Sequence, residues 1–95
     1  MRVVLSPAAA NDLVRIGRFI ALNNPAAAQK VLHRLSHVMG VVLSSHPEVG
    51  TRRDDVRPGL RVFVVEDHVV CYRLTGSARW VLRIVHGAQD FTRLL

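Results

Sequence analysis

Cysteine, lysine and aromatic residues are what this 95-residue chain has least of. Cys71 is the only cysteine, which excludes an internal disulfide and any multi-cysteine zinc site and suits a reducing compartment. Only five aromatic side chains exist. Tyr72 and Trp80 fall on apolar strand positions, so packing explains them better than stacking on bases. No long apolar run is present either. Val3-Val4-Leu5 is stopped at once by Ser6-Pro7, which excludes a signal-peptide core there, and nothing elsewhere is long enough to span a bilayer. The glycines are scattered, so no phosphate-cradling loop can be assembled from them.

What is abundant is arginine. The chain carries 13 Lys+Arg against 7 Asp+Glu, a formal charge of +6, and Lys30 is the single base that is not arginine. Solubility would be served equally well by lysine, whereas arginine forks onto carboxylates and phosphates. A hydrophobic fraction of 49% argues against disorder. The length suits one domain, residues 1–95, that buries roughly two-thirds of its unfolded surface.

Residues 2–5 read as a short strand. Ser6 then caps a helix with Pro7 at its first position, and Ala9, Leu13, Ile16 and Ile20 form its apolar stripe. Asp12, Arg15 and Arg18 are expected away from that stripe, with Asp12 pairing Arg15 one turn later. Asn23-Asn24-Pro25 breaks this helix and starts a second, from Pro25 to about Leu43, with Ala28, Leu32, Leu35, Met39 and Val42 as its stripe. Gly40 weakens its end by about 1 kcal/mol. The short break predicts an antiparallel helical hairpin. Residues 46–58 read as loop. Leu60–Val65, Val69–Leu74 and Arg79–His86 then follow as three strands of a meander. Alternation places Val62, Val64, Val70, Tyr72, Leu74, Trp80, Leu82 and Ile84 on one parity and Arg61, Arg73, Arg79 and Arg83 on the other. The expected fold is therefore α+β: a short N-terminal strand and a helical hairpin on one face of a twisted antiparallel sheet, with arginine studding the opposite face.

An unbalanced arginine cluster of this kind suits an anionic partner. Neither helix shows a basic stripe flanking a broad exposed apolar face, so no membrane partner is expected. His33 and His37 have zinc-competent i, i+4 spacing, but Arg34-Leu35-Ser36 between them lacks the glutamate of a metalloprotease motif. His86 ends the last strand and is the candidate acid or base. The serines lack a nucleophile-elbow context, and a mid-strand Cys71 behaves as a small hydrophobe.

The order of strand, two amphipathic helices, loop and arginine-rich meander resembles the ParE/RelE superfamily of bacterial type II toxins, and most closely its ParE branch. The fragments that carry the resemblance are Leu5-Ser6-Pro7-Ala8-Ala9, Asn24-Pro25-Ala26-Ala27-Ala28, His46-Pro47-Glu48-Val49-Gly50, Arg57-Pro58-Gly59-Leu60-Arg61, Cys71-Tyr72-Arg73 and Arg83-Ile84-Val85-His86-Gly87. The resemblance implies a cytoplasmic toxin without cofactor or metal. It also implies a cognate antitoxin encoded beside it, with a flexible and often acidic C-terminal segment. ParE-like members poison DNA gyrase by trapping it on cleaved DNA, and they need no catalytic constellation of their own. On this reading Arg61, Arg73, Arg79, Arg83 and His86 would contact antitoxin or target.

RelE-like members are ribosome-dependent mRNA endonucleases, and that branch is the alternative. Its basic cluster, carried over by position, falls near Arg57, Gly59, Val69 and Gln89, where only Arg57 keeps a charge. Arg61, Arg73 and Arg83 would have to substitute, with His86 as the acid. A third reading is a nontoxic relative that only binds antitoxin or DNA. The tail from Asp90 to Leu95 either packs on the core or reaches a partner.

Overall fold

The computed structural model describes residues 2–95. Strand β1 (Arg2–Leu5) leads into helix α1 (Pro7–Ala21), and Ser6 joins them. The Ser6 hydroxyl accepts from the Ala9 N–H at 3.0 Å, satisfying a free donor of the first helical turn. Asn24 does the same for α2 (Pro25–His37), accepting from the Ala27 N–H at 3.1 Å. The helix then continues through a π-helical segment, Val38–Val42, to a last α-turn, Leu43–Ser45. Leu35, Met39 and Leu43 are all buried at four-residue spacing. On a regular α-helix that spacing drifts about 40° per step, and the wider π turn takes up the drift. Leu43 thereby takes the core position expected for Val42.

The strands that follow are β2 (Thr51–Arg52), β3 (Leu60–Val65), β4 (His68–Thr75) and β5 (Ala78–His86), before a 3₁₀ turn at Phe91–Leu94. Sheet order is β1-β5-β4-β3-β2. The sheet is mixed rather than wholly antiparallel, because β1 runs parallel to β5. Within the expected loop, Thr51 and Arg52 pair with Val62 and Arg61, adding a two-residue edge strand.

The parity of the sheet differs from the alternation expected. The core beneath the helices holds Val65, Val70, Tyr72, Val81 and Ile84, with Phe63 and Val3 packed against it. Val64 points away and is 70% exposed. Two causes combine. The run Val62-Phe63-Val64-Val65 is apolar at every position, so alternation there cannot choose a face. A bulge between Cys71 and Tyr72 then shifts the partner of β4, so that Tyr72 opposes Val81 while Val70 opposes Ile84. Side chains 81 and 84 thus share a face despite opposite parity.

Because β1 stops at Leu5, the outer edge of β5 beyond Val81 has no strand beside it. Ser6 covers the first part, its N–H donating to the Val81 carbonyl and its hydroxyl to the Leu82 carbonyl. Asp12 of α1 covers the next, accepting from the Ile84 N–H at 2.9 Å. The same carboxylate receives Arg83 through Nε at 2.8 Å and Nη2 at 2.9 Å. Asp12 is only 3% exposed, and Arg15 lies 3.8 Å away as a weak outer partner. Asp12 was expected on the solvent side of α1, paired with Arg15. Its spacing of three from Ala9 and four from Ile16 instead places it on the buried stripe.

Replacing Asp12 with alanine removes a buried, doubly bonded ion pair and leaves the Ile84 N–H without its acceptor. Asp12→Ala should therefore cost about 3–5 kcal/mol in a urea unfolding experiment. Arg15→Ala, which touches only the exposed side of the same carboxylate, should cost less than about 1 kcal/mol.

Candidate functional site

The four strand arginines do not form one exposed face. Arg61 pairs across the ladder with Tyr72, whereas Arg73 pairs with Leu60 and Trp80, which puts them on opposite faces. Arg61 donates from Nη1 to the Gly50 carbonyl at 2.9 Å and reaches the Glu48 carbonyl at 3.4 Å. Arg79 lies on the helix-bearing side and is 3% exposed. Arg83 is committed to Asp12, which holds its guanidinium above the ordinary arginine value chiefly through the side-chain hydrogen bond. Arg73 is half-buried, and its Nε is enclosed without a hydrogen-bond partner. Arg57 stands exposed in the β2–β3 connection, away from any ion pair among the described residues. Bases that sequence alternation gathers into one patch are thus largely built into the fold.

Neighbouring arginines in the loop are held by adjacent acids. Arg52 meets Asp54 and Arg53 meets Asp55, in each case with Nε at 2.9 Å from the carboxylate. These contacts pull both carboxyls below the usual carboxylate range, and Asp54 also accepts from the Gly59 N–H at 2.8 Å. Gly59 supplies the positive φ of 78° that this tight return needs. Arg53 also lies over the Phe91 ring at 5.2 Å, a cation–π contact that ties the C-terminal turn to this loop. Part of the tail therefore packs.

Tyr72 anchors the segment that leads into β2. Its hydroxyl donates to the Pro47 carbonyl at 2.7 Å and accepts from the Gly50 N–H at 2.9 Å. A Cβ on Gly50 would fall 2.8 Å from the Tyr72 ring and 3.0 Å from the Val62 carbonyl, so only glycine fits there. Burial pushes the Tyr72 hydroxyl up, against the Gly50 N–H and the nearby Arg61 and Arg79 charges.

The concave feature is a groove of about 590 Å³ along the helical hairpin and the end of β5. Ile16, Phe19 and Ile20 of α1, Val31 of α2 and Leu94 of the tail supply its apolar wall. Phe19 is 72% exposed and Leu22 beyond it 81%, an unusual display for a small domain. The polar end holds Arg83, Glu66, Asp67 and two histidines, His68 and His86, whose rings meet edge to face at 5.5 Å. His86 is exposed, with its Nδ1 accepting from the Ala88 N–H at 3.1 Å. His68 is buried, and its Nδ1 has no hydrogen-bond partner. Burial lowers the His68 pKa from 6.5, His86 lowers it further, and Asp67 and Glu66 oppose both. Sequence reading found His86 but missed His68, because a histidine directly after a turn carries no periodic signal.

Nucleophilic and metal chemistry gain no assembled group. Burial pushes the Cys71 thiol up to about 12, so its thiolate is scarcely populated near neutrality. His33 and His37 stack at 6.4 Å on the outer side of α2, and no three-ligand metal cluster occurs among the described residues.

Three comparisons with known proteins agree. The family described as "ParE toxin of type II toxin-antitoxin system, parDE" matches residues 3–91. A curated relative, Toxin ParE3 of Caulobacter vibrioides, is 37% identical over 95 residues, covering 99% of this chain and 94% of its own. Toxin ParE1 of Mycobacterium tuberculosis is 32% identical over 69 residues, covering 72% of this chain and 69% of its own. Among solved structures, a chain of the chromosomal ParDE TA system from P. aeruginosa superposes with a TM-score of 0.76 at 25% identity. That match covers 90% of this chain and 95% of the other.

Two measurements test the site. Because the folded His68 pKa is depressed below 6.5, its contribution to stability is present above that pH and is lost as pH falls through the folded value. Thermal melts at decreasing pH below 6.5 should show a loss of stability that His68→Phe makes shallower; parallel pH profiles would contradict the assignment. The Cys71 thiol should resist alkylation at pH 8 in native protein while urea-unfolded protein is labelled fully.

Proposed function

Because the chain belongs to the ParE toxin family of type II toxin–antitoxin systems, we propose that it inhibits DNA gyrase and is neutralised by a cognate antitoxin. The observation that carries this reading is a family match spanning residues 3–91, nearly the whole chain. An inhibitor that works by docking needs a surface rather than a reaction centre. The exposed Phe19 and Leu22 beside the groove, with Arg15 and Arg18 on the same helix, supply apolar anchors ringed by positive charge. Charge of that sign speeds encounter with an acidic antitoxin segment, while the apolar anchors provide burial. Gyrase works on chromosomal DNA, so the cytoplasm is the compartment this function requires.

Ribosome-dependent RNA cleavage would instead need several free cations around one scissile phosphate, with an acid and a base in reach. His86 is accessible, but Arg83 is bonded to Asp12, and Arg61 is bonded to loop carbonyls outside the groove. That commitment of the guanidiniums favours the gyrase reading over the ribonuclease one. The nontoxic relative, able to bind antitoxin alone, remains the other outcome of the same test.

Purified toxin should block supercoiling by gyrase and accumulate linear, cleaved DNA. Premixing with the antitoxin encoded beside it should restore supercoiling. Unimpaired supercoiling at saturating toxin would overturn the gyrase reading, and transcript cleavage in translating ribosomes would replace it with the ribonuclease one.

A further inference from the structure

Trp80 stands outside the core that strand alternation assigns it to. Alternation groups it with Tyr72, but the bulge at Cys71/Tyr72 reverses the first half of β5, and Trp80 pairs across the ladder with Arg73. Tyr72 belongs to the core beneath the helices, whereas Trp80 is neither part of it nor packed against it. The register therefore lays a row across the face of the sheet away from the helices. It runs Leu60, Arg73, Trp80 and Val4, one residue from each of β3, β4, β5 and β1. Arg2, two residues before Val4, shares that face. The sole tryptophan is thus bracketed by two guanidiniums.

Both arginines are free to take a ligand. Arg2 is exposed, and Arg73 and Trp80 are half-buried. Only the Nε of Arg73 is enclosed, which leaves its terminal nitrogens at the surface, and no ion pair engages either arginine among the described residues. The acids nearest Leu60 in the chain, Asp54 and Asp55, are held by Arg52 and Arg53. Glu66 and Asp67 sit in the β3–β4 turn, at the far end of these strands. Among the described residues the cation–π contact falls on Phe91, so no guanidinium covers the Trp80 ring.

A cation on each side of an aromatic ring matches the repeat of a nucleic-acid single strand, where phosphates alternate with bases whose flat faces are open. Arg2 and Arg73 lie on strands separated by β5, about 12 Å apart along the backbone, with Trp80 between them. The guanidinium fork suits a phosphate, and the indole suits a base of any identity. A duplex keeps its base faces inside the stack, so it offers the arginines phosphates and the ring nothing.

We propose that the sheet face away from the helices binds single-stranded DNA, with a base stacked on Trp80 and the flanking phosphates on Arg73 and Arg2. The assignment does not depend on the gyrase reading. For a toxin that traps gyrase on cleaved DNA, it supplies a direct hold on the broken strand, on the side of the sheet opposite the groove.

Because Trp80 is the only tryptophan, its emission reports this site in the intact chain. An oligothymidylate of about twelve nucleotides should quench that emission, while a duplex binds without quenching it. With two phosphates engaged, the logarithm of the association constant should fall with that of salt at a slope of about −1.4, and Arg73→Met should reduce it to about −0.7. Trp80→Leu should weaken binding about tenfold by anisotropy of a labelled oligonucleotide, whereas Trp80→Phe, which keeps a ring, should stay within about threefold. Arg18→Met, on the helical side, should leave affinity and slope unchanged. If Trp80→Leu fails to fold, quenching of the wild type and the Arg73→Met slope decide the matter. Emission unmoved by the single strand, an effect of Arg18→Met equal to that of Arg73→Met, or tighter binding of an oligouridylate of the same length would each overturn the proposal. Unimpaired supercoiling with quenching intact would sink the gyrase reading alone.

Discussion

The carboxylate of Asp12 ties the helical layer to the sheet through a buried ion pair. It accepts two bonds from Arg83 and one from the Ile84 N–H while lying almost wholly out of water. An open strand edge exposes unpaired amides and invites pairing with another chain. β1 is too short to close the edge of β5, so the closure is completed from above, by Ser6 and then by Asp12 on α1. Placement of the hairpin follows from this, because α1 must run along β5 for its carboxylate to reach residue 84. The groove between α1 and the strand end inherits the same alignment, since Asp12 and Arg83 both line it.

The same interaction explains why net charge is a poor guide to this surface. A surplus of +6 suggests a broad cationic face, yet the arginines differ in what they do. Arg83 closes an edge, Arg61 holds a loop, Arg53 faces Asp55 and the Phe91 ring, and Arg79 is buried without an acid. Arginine suits each task because its planar donors can satisfy carbonyls, carboxylates and ring faces that a lysine ammonium would serve less well. The near-absence of lysine is thus partly architectural, and the display left for partners is smaller and more apolar than the composition implies.

Much of the fold was legible in the sequence because its signals are local. Ser6-Pro7 and Asn24-Pro25 mark helix starts by cap chemistry, and the three meander strands emerge from β-branched runs between turn residues. What stayed hidden depends on contacts distant in sequence. The bulge at Cys71/Tyr72 leaves no mark in composition, yet it reverses the parity of the first half of β5 and so parts Arg79 from Arg83, while the all-apolar run of β3 hides the face that Arg61 takes. The parallel placement of β1 beside β5 joins residues more than seventy positions apart, and so does the Asp12–Arg83 pair. For the site, His86 could be named because it ends a strand, whereas His68 and the groove required the tertiary fold to bring α1, the β3–β4 turn and the tail together.

A docking protein of this size faces a conflict between holding together and displaying a sticky surface. Its core is modest, and every apolar side chain left outside is lost to it. Phe19 and Leu22 are nonetheless exposed on α1, the helix that is also fixed most firmly to the sheet. The two facts belong together. Polar anchoring through Asp12 and Ser6 adds to the packing of Leu13 and Ile16 on the core, so that Phe19 and Leu22 face outward on a rigid support. A rigid apolar display loses less conformational entropy on binding than a flexible one. The buried ion pair thus stabilises the fold while sparing, for a partner, the residues that would otherwise have been needed to do so.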